Sequence, residues 1–467
     1  MPHLSGNPDG HANLSETPCL NLNSLQSTMR ILLAACSRRL PPRRLGLLKM
    51  PRRRAKGNMP KYAFPLCILC LCPAAAQAMG DLSNIFKPYV SDTVTYNDNL
   101  FYQNSLAKHA TVLPPLSKGQ AGLTLIKDDV MNQATAGSAI NYTLGRQKFN
   151  LNLRVSDNRF ANNKFLDHVS TNDRAAWQWQ LGRQLSGDAG YTYTRAMGGF
   201  TNTTFFGLDI ITGNNAFANL DYAWHPRWKV RAGLNWQDYQ HGASQRKNLD
   251  QQTATALVSL NYATPSNNSL GLQYSFVDGK YPNRELVASR AFDNKYQQHS
   301  ANTLLTWKIT EKTSFNGTVG YTVRQYPDFS QRNFSGETWD LMLSWTPTAK
   351  VMLSLAGWRH LTNWADQTAS YIVTEGFSVS PMWQPLPKLA LTAKFTRQSL
   401  DYAGDPGLVI GFAPRKDTLL SGQVSLVYTP VPNAEITLGY QAGTRDTNRL
   451  LLDYAFNSVF SSVMLKF

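Results

Sequence analysis

The feature that most constrains this fold is a strict alternation of apolar and polar residues beyond residue 115. The segments KFNLNLRV at 148–155, WKVRAGLNW at 228–236 and KLALTAKFT at 388–396 all alternate in this way. Successive side chains of a β-strand point to opposite faces of the sheet. Each segment therefore predicts a strand with one apolar and one polar face, and the chain predicts an all-β fold.

The spacing of the connections separates a membrane barrel from a soluble sandwich, which would also alternate. Short connections recur at Gly145–Lys148, Leu185–Asp188, His225–Arg227, Thr264–Asn267, Thr310–Lys312, Thr346–Ala349, Gln384–Pro387 and Thr429–Asn433. Longer polar stretches such as 157–172, 278–299 and 398–417 lie between them. Short turns at one rim and long loops at the other are the pattern of bacterial outer-membrane barrels.

Aromatic residues stand one to three positions before these short connections. They are Trp224, Tyr262, Trp307, Trp345, Trp383 and Tyr428. Amphipathic aromatic side chains gather where a barrel meets the membrane–water interface. A sandwich core gives no reason for aromatics at one end of alternate strands, so we predict an aromatic girdle.

Counting the connections gives the size of the barrel. Eight short turns imply sixteen strands, and a last strand at about 455–467 and a first one at about 117–127 bring the total to about eighteen. We therefore predict a transmembrane up-and-down antiparallel β-barrel of about 18 strands (16–20) over residues 115–467. Residues 79–114 carry one more strand-like run, Val90–Tyr96. They are expected to form a periplasmic or lumenal segment, or an extra strand.

The front of the chain has the composition of a targeting segment. Residues 50–78 combine a basic start, an apolar run at 62–75 and the small-x-small sequence Ala76-Gln77-Ala78. This order predicts a signal peptide with cleavage after Ala78, so that the mature chain begins at Met79. Residues 1–49 show no pattern and are interpreted as an unstructured, misannotated upstream extension.

Charge and cysteine are concentrated in the same front segment. Residues 1–78 hold eleven Lys or Arg and two Asp or Glu, so of the net charge of +16 only 16 − 9 = +7 remains for the rest. All five cysteines also precede residue 79. Most of the net positive charge therefore belongs to the targeting segment, and no nucleic-acid partner is expected.

The C-terminus resembles the signal by which the barrel-assembly machinery recognises its clients. The chain ends on Phe467, with Leu465 and Val463 at alternate preceding positions, although Ser461 interrupts the row. We expect this machinery and outer-membrane lipid as partners, and the outer membrane of a Gram-negative bacterium as the location.

The residues after the signal offer no catalytic motif. There is no GxSxG elbow and no HExxH, and none of the histidines has a Ser or Asp partner at motif spacing. We therefore expect no enzyme, no catalytic residue, no metal site and no cofactor.

Charged residues on the polar faces are candidates to line the lumen. They are Lys148, Arg154, Lys229, Arg231, Lys394 and Arg397, set against Asp221, Asp340 and Glu435. One interpretation is a mixed-charge, water-filled lumen. The other is a mildly basic passage that favours acidic glycans through the summed field of its walls.

Three stretches resemble the EpsL family of outer-membrane barrels, which accompany exosortase-type exopolysaccharide biosynthesis. They are VTYNDNLFY (94–102), LGRQKFNLNLRVSDNRF (144–160) and AAWQWQLGRQLSGDAGYTYTRA (175–196). The resemblance implies a channel or export component for extracellular polysaccharide, with the polysaccharide and periplasmic export proteins as partners. A general or substrate-specific nutrient porin and a non-conducting secretion scaffold are the alternatives, since a barrel of this size can enclose an aqueous pore.

Overall fold

The computed structural model describes residues 85–107, 110–113, 123–201, 203, 205–284, 294–327, 329–364, 369–405 and 413–467. All of them fall within the second of the chain's two units, Phe64–Phe467. The predicted signal peptide, with the cleavage residues Ala76 and Ala78, lies outside the described residues.

Eighteen antiparallel strands form one closed barrel, as the sequence predicts. They are β1 (Phe86–Asn97), β4 (Asp129–Leu144), β5 (Gln147–Phe160), β6 (His168–Leu181), β7 (Leu185–Met197), β8 (Ile210–His225), β9 (Trp228–His241), β10 (Gln251–Ala263), β11 (Ser269–Lys280), β12 (Lys295–Thr310), β13 (Thr313–Gln325), β14 (Phe334–Thr348), β15 (Val351–Asn363), β16 (Tyr371–Leu386), β17 (Leu389–Ala403), β18 (Lys416–Val431), β19 (Ala434–Thr447) and β20 (Tyr454–Lys466). Strand β1 pairs with both β4 and β20, which closes the sheet. The short strands β2 (Ala110–Leu113) and β3 (Leu123–Ile126) form a separate ribbon in the first long connection.

The two ends of the barrel differ in their connections. Eight short turns, the start of β1 and the end of β20 lie at one end, where the N–H of Phe467 donates to the carbonyl of Pro88 at 2.9 Å. Nine longer connections lie at the other end. By the usual orientation of such barrels, the first is the periplasmic end and the second the extracellular end.

Residues that are directly opposed on neighbouring strands point to the same face of the sheet. The pairing of the strands therefore joins their apolar residues into one row around the barrel and their polar residues into another. Trp228 on β9 is opposed to Tyr262 on β10, and Leu234 to Ala256, along one face. Large apolar side chains remain exposed on this face, with Leu234 65% exposed. We call this the lipid-facing row. Lys229 and Asn261 are opposed on the other face, the lumen-facing row.

The first barrel strand differs from the sequence prediction, which placed it at about 117–127. The strand is Phe86–Asn97, and the wall therefore begins inside the segment expected to be periplasmic or lumenal. Its lipid-facing row includes Asp92, which accepts a hydrogen bond from Asn132 Nδ2 at 2.9 Å. A carboxylate in an otherwise apolar row obscures the alternation that identifies the other strands.

One predicted turn is also wrong. The connection between β6 and β7 is 182–184, with Gly182 at φ +63°, and Leu185–Asp188 belongs to β7. Gly187 serves close packing there, because a Cβ on it would lie 2.6 Å from the Trp179 ring.

Candidate transport lumen

The lumen changes character along its axis, as strand β5 shows. Its lumen-facing Lys148 and Arg154 are exposed to solvent. Further along the same row, Ser156, Asn158 and Phe160 are buried. The inside of the barrel is therefore open to water near the periplasmic end and in its middle, and filled at the extracellular end.

We call the water-exposed region the open lumen. Its exposed lumen-facing amides and cations include Lys148, Asn152, Arg154, Asn172, Arg174, Gln178, Lys308 and Lys394, and Asp340 on β14 is an exposed lumen-facing carboxylate. These are polar and charged groups, which a water-filled passage accommodates at little cost.

Part of the charge in the open lumen is neutralised. Arg231 lies 2.8 Å from Asp188 and 3.6 Å from Asp221, and Lys229 lies 3.5 Å from Asp221. Asp221 is buried, but Lys229, Arg231 and Asp188 are partly exposed, so water screens each pair and limits its contribution to stability to about 1 kcal/mol. Their main effect is electrostatic, because the two cations and two anions cancel one another.

Other cations in the open lumen are not neutralised. Within the described parts of the chain, Lys148, Arg154, Arg174 and Lys394 have no carboxylate within salt-bridge distance. Unpaired charge on the walls of a low-dielectric cleft concentrates counter-ions inside it. This part of the lumen therefore favours anions.

The extracellular end of the lumen, which we call the packed end, is built from aromatic side chains and arginines. Arg324 lies over the Tyr296 ring at 4.4 Å and Arg445 over the Tyr454 ring at 4.5 Å. Tyr296 is 1% exposed and also accepts hydrogen bonds at its hydroxyl from Gln251 and Asn363, at 3.1 Å each. Stacking on aromatic faces lets a guanidinium be buried at reduced cost.

Contacts with several other elements fix the connection between β7 and β8 in the packed end. Asp209 accepts a hydrogen bond from His241 Nδ1 at 2.7 Å, and lies 2.9 Å from Arg246. Arg445, on the far strand β19, donates to the carbonyl of Thr201. The ring of Phe200 lies 4.9 Å from that of Phe101, in the first long connection.

The pKa of Asp209 follows from these contacts. Burial alone would raise it, but the hydrogen bonds from His241 and the Ala243 N–H, together with the charges of His241 and Arg246, hold the pKa below its usual range. Burial also lowers the pKa of Arg246. The Asp209 carboxylate, which we call the anchor of this connection, is therefore charged at neutral pH.

A cavity of about 410 Å³ remains beside this anchor. Arg246 and Gln251 line one side, and Asn363 at the end of β15 and Trp364 directly after it line another. The packed end is thus narrowed by side chains from well-separated strands.

Five of the six predicted lumen residues lie on the lumen-facing row: Lys148, Arg154, Lys229, Arg231 and Lys394. The prediction for Arg397 is wrong. It is opposed to Phe377 and Leu420 on the lipid-facing row. Residues 394 and 397 are an odd number of positions apart on one regular strand, so they point to opposite faces.

The sequence prediction missed Arg174 and Phe217. Arg174 is on the lumen-facing row of β6 because Trp177 and Trp179 are on the other. The alternation in DRAAWQW contained this signal. Phe217, an aromatic on the polar face of β8, breaks the pattern and could not have been assigned from alternation.

The predicted girdle residues all lie near the periplasmic turns, and those in ladder pairs, which are all but Trp224, stand on the lipid-facing row. The girdle residues are Trp224, Tyr262, Trp307, Trp345, Trp383 and Tyr428. Trp228 joins them, with its ring 6.2 Å from that of Trp224 and 5.0 Å from that of Tyr262. Val463, Leu465 and Phe467 belong to the last strand and the chain end, and their role in assembly stays a prediction.

No group of three or more His, Cys, Asp or Glu side chains among the described residues is arranged to hold a metal ion. No helix in the described part of the chain is long and apolar enough to cross a membrane.

Comparison with known proteins links the C-terminal part of the chain to porins. A family model described as "Putative beta-barrel porin 2" matches residues 276–467. No protein of curated function matches the chain.

Similar solved structures include the outer-membrane protein OpdK from Pseudomonas aeruginosa (11% identity, TM-score 0.44, 82% of this chain and 100% of that one). A BenF-like porin from Pseudomonas fluorescens Pf-5 gives 9% identity and a TM-score of 0.46 over 83% of this chain and 100% of that one. OpdQ from Pseudomonas aeruginosa gives 13% identity and a TM-score of 0.44 over 82% and 98%.

The closed barrel, its exposed apolar row and the porin family match define the class of protein. It is a porin-like β-barrel of the outer membrane of a Gram-negative bacterium. Lipid surrounds its outer face.

Proposed function

We propose that this protein is a substrate-selective channel that carries small polar solutes across the outer membrane. The observation that supports this most is the open lumen, where lumen-facing cations and amides such as Arg154, Arg174 and Asn152 are exposed inside a closed wall. Side chains that water reaches can also be reached by a small hydrophilic solute.

The packed end supports selective rather than general passage. Side chains from β10, β12 and β15 meet there at the hydroxyl of Tyr296, and Arg445 contacts the connection between β7 and β8. A mouth narrowed in this way restricts the size of what enters, while the wider lumen below it offers little resistance. The nutrient-porin alternative therefore fits better than a wide export conduit.

Export of an extracellular polysaccharide is the second candidate. It is supported by the resemblance of residues 94–102 and 144–160 to the EpsL family, and by the amide side chains of Asn152, Asn172 and Gln178, which can bond sugar hydroxyls. Periplasmic export proteins would then be partners, and the barrel-assembly machinery is expected for either function. A non-conducting scaffold would need no exposed polar lumen.

Planar-bilayer recording and a deletion strain together test these alternatives. We expect the purified protein to give discrete conductance steps, and liposomes that contain it to swell in small sugars or acids. The deletion strain should lose uptake of a small solute and keep its surface polysaccharide. A barrel that neither conducts nor passes solutes contradicts the proposal, and loss of surface polysaccharide with normal uptake favours export.

A further inference from the structure

An arginine in the open lumen is held in place by an aromatic ring. The guanidinium carbon of Arg174 on β6 lies 5.1 Å from the centre of the Phe217 ring on β8. The ring can extend across β7 because residue 190 between them is glycine, where a Cβ would lie 2.6 Å from the ring. Stacking reduces the rotamers available to Arg174 and leaves the edge of its guanidinium free.

Two more cations share this wall. Arg154 and Lys148 lie on the lumen-facing row of β5, next to β6. Asn152 is directly opposed to Arg174, so Arg154 lies only two residues further along the same row. Diagonal neighbours across a strand pair are about 7–8 Å apart, which is within reach of long side chains. We call Lys148, Arg154 and Arg174 the basic strip.

One carboxylate lies beside the basic strip, because Asp173 Oδ1 on β6 accepts a hydrogen bond from the backbone N–H of Arg154 at 3.2 Å. Within the described residues, none of the three cations of the basic strip lies in a salt bridge, and all three are exposed to the lumen. The cations Arg231 and Lys229 on the lumen-facing row of β9 form the contrast, because Asp188 and Asp221 neutralise them. The lumen-facing carboxylates Asp188 and Asp221 thus pair with the cations of β9 and leave the side-chain charges of the basic strip without a salt bridge.

We propose that the basic strip is the binding site for the carboxylate of a small polyhydroxylated organic acid that passes through the channel. The planar guanidinium of Arg174 presents paired N–H donors, which match the two oxygens of a carboxylate. Arg154 supplies a second positive charge near the same place. This assignment deepens the proposed transport function and rests on it.

Amide groups beside the basic strip account for the hydroxyl groups of the solute. Asn152, Asn172 and Gln178 are exposed on the same rows, and none of their side chains makes a hydrogen bond within the described part of the chain. Each amide can both donate to and accept from a hydroxyl. If the acid had no hydroxyl groups, these amides would hydrogen-bond only to water.

Current block in single channels tests the assignment. Gluconate is the probe, glucose is the uncharged control of similar size, and inorganic phosphate distinguishes carboxylate recognition from capture of any oxyanion. We expect gluconate to block the wild-type channel at the lowest concentration of the three. Arg174→Gln and Arg154→Gln should each raise its half-blocking concentration about tenfold, because a charge-assisted hydrogen bond is lost.

Matched variants separate recognition from a general effect of charge. Arg397→Gln removes a cation from the lipid-facing row and should leave the gluconate block unchanged. Phe217→Leu keeps all three cations but removes the stacking surface, and should weaken the block by roughly threefold, less than loss of the guanidinium itself.

Three results would overturn the assignment in a channel that still conducts. They are an unchanged block in Arg174→Gln, an equal loss in Arg397→Gln, and tighter block by phosphate than by gluconate. A wild-type protein that does not conduct would instead contradict the transport function.

Discussion

The two ends of strand β12 have the same alternation but different surroundings. Tyr296, at its extracellular end, is 1% exposed, and Lys308, at its periplasmic end, is exposed. Both lie on the lumen-facing row. The wall is built in the same way at both ends, so the difference comes from the side chains around Tyr296, where Arg324, Gln251 and Asn363 meet from other strands.

The difference is also chemical. The packed end combines aromatic rings with buried arginines, so that Arg324 is 4% exposed and lies over Tyr296. The open lumen combines amides with exposed cations such as Arg154 and Lys394. The packed end holds its side chains in fixed positions, whereas the open lumen leaves polar groups available to water and solutes. The same barrel thus separates a structural region from a transport region.

The largest expected effect compares stability at these two ends. Tyr296→Ala should lower the free energy of unfolding by about 3–5 kcal/mol, because it removes a buried aromatic and the stacking partner of Arg324. Thr306→Ala, on the same face of the same strand, should change it by less than about 0.5 kcal/mol. Urea unfolding in detergent micelles, followed by tryptophan fluorescence, measures both. Equal losses would mean that the two ends are packed alike.

The next effect sharpens the division between lumen and lipid. Leu234→Arg should destabilise the barrel by about 2–4 kcal/mol, because the charge would face the hydrocarbon near the middle of the bilayer. Asn235→Arg, one residue further, should cost much less because it faces water. Heat-modifiable migration on gels reports folded barrel in each case. Equal tolerance at the two positions would contradict the assignment of faces.

The smallest effect concerns the anchor of the connection between β7 and β8. The pKa of Asp209 is lowered, so the stabilisation from its carboxylate is fully present above about pH 3.9 and is lost as the pH falls through the lowered value. Asp209→Asn should cost about 1–2 kcal/mol locally and increase current fluctuations at neutral pH. Wild-type channels should fluctuate in this way only in acid. If Asp209→Asn channels show no additional current fluctuation at neutral pH, the carboxylate does not hold the connection in place.

Strand number and faces could be predicted from the sequence because both depend on local patterns. Side-chain alternation has a period of two, and the short turns mark where it restarts. Errors arose where one residue broke a local rule. Asp92 placed a charge on an apolar row, and Gly187 allowed close approach of Trp179 where a turn was expected. Arg397 was assigned to the lumen although it lies three positions from Lys394, and an odd spacing on a strand places two residues on opposite faces.

The packed end and the basic strip could not be predicted in full. Contacts such as Arg445 to Thr201 join residues far apart in sequence, and no periodicity encodes them. The sequence identified Arg154 as lining the lumen, but whether its guanidinium has a salt-bridge partner depends on which strands are neighbours. The stacking of Arg174 on Phe217 requires glycine at 190 on the strand between them, which only the register reveals.

Cysteine accessibility tests the open lumen most directly, because residues 79–467 contain no cysteine. Single cysteines would replace Asn152 in the open lumen, Leu234 on the lipid-facing row, and Ser300, which is a buried residue on the lumen-facing row of β12, four positions from Tyr296. A charged, membrane-impermeant thiol reagent should modify Asn152→Cys rapidly and reduce its conductance, and should modify Ser300→Cys and Leu234→Cys slowly or not at all. Slow modification at 152, or rates that do not differ among the three positions, would contradict a water-filled transport lumen.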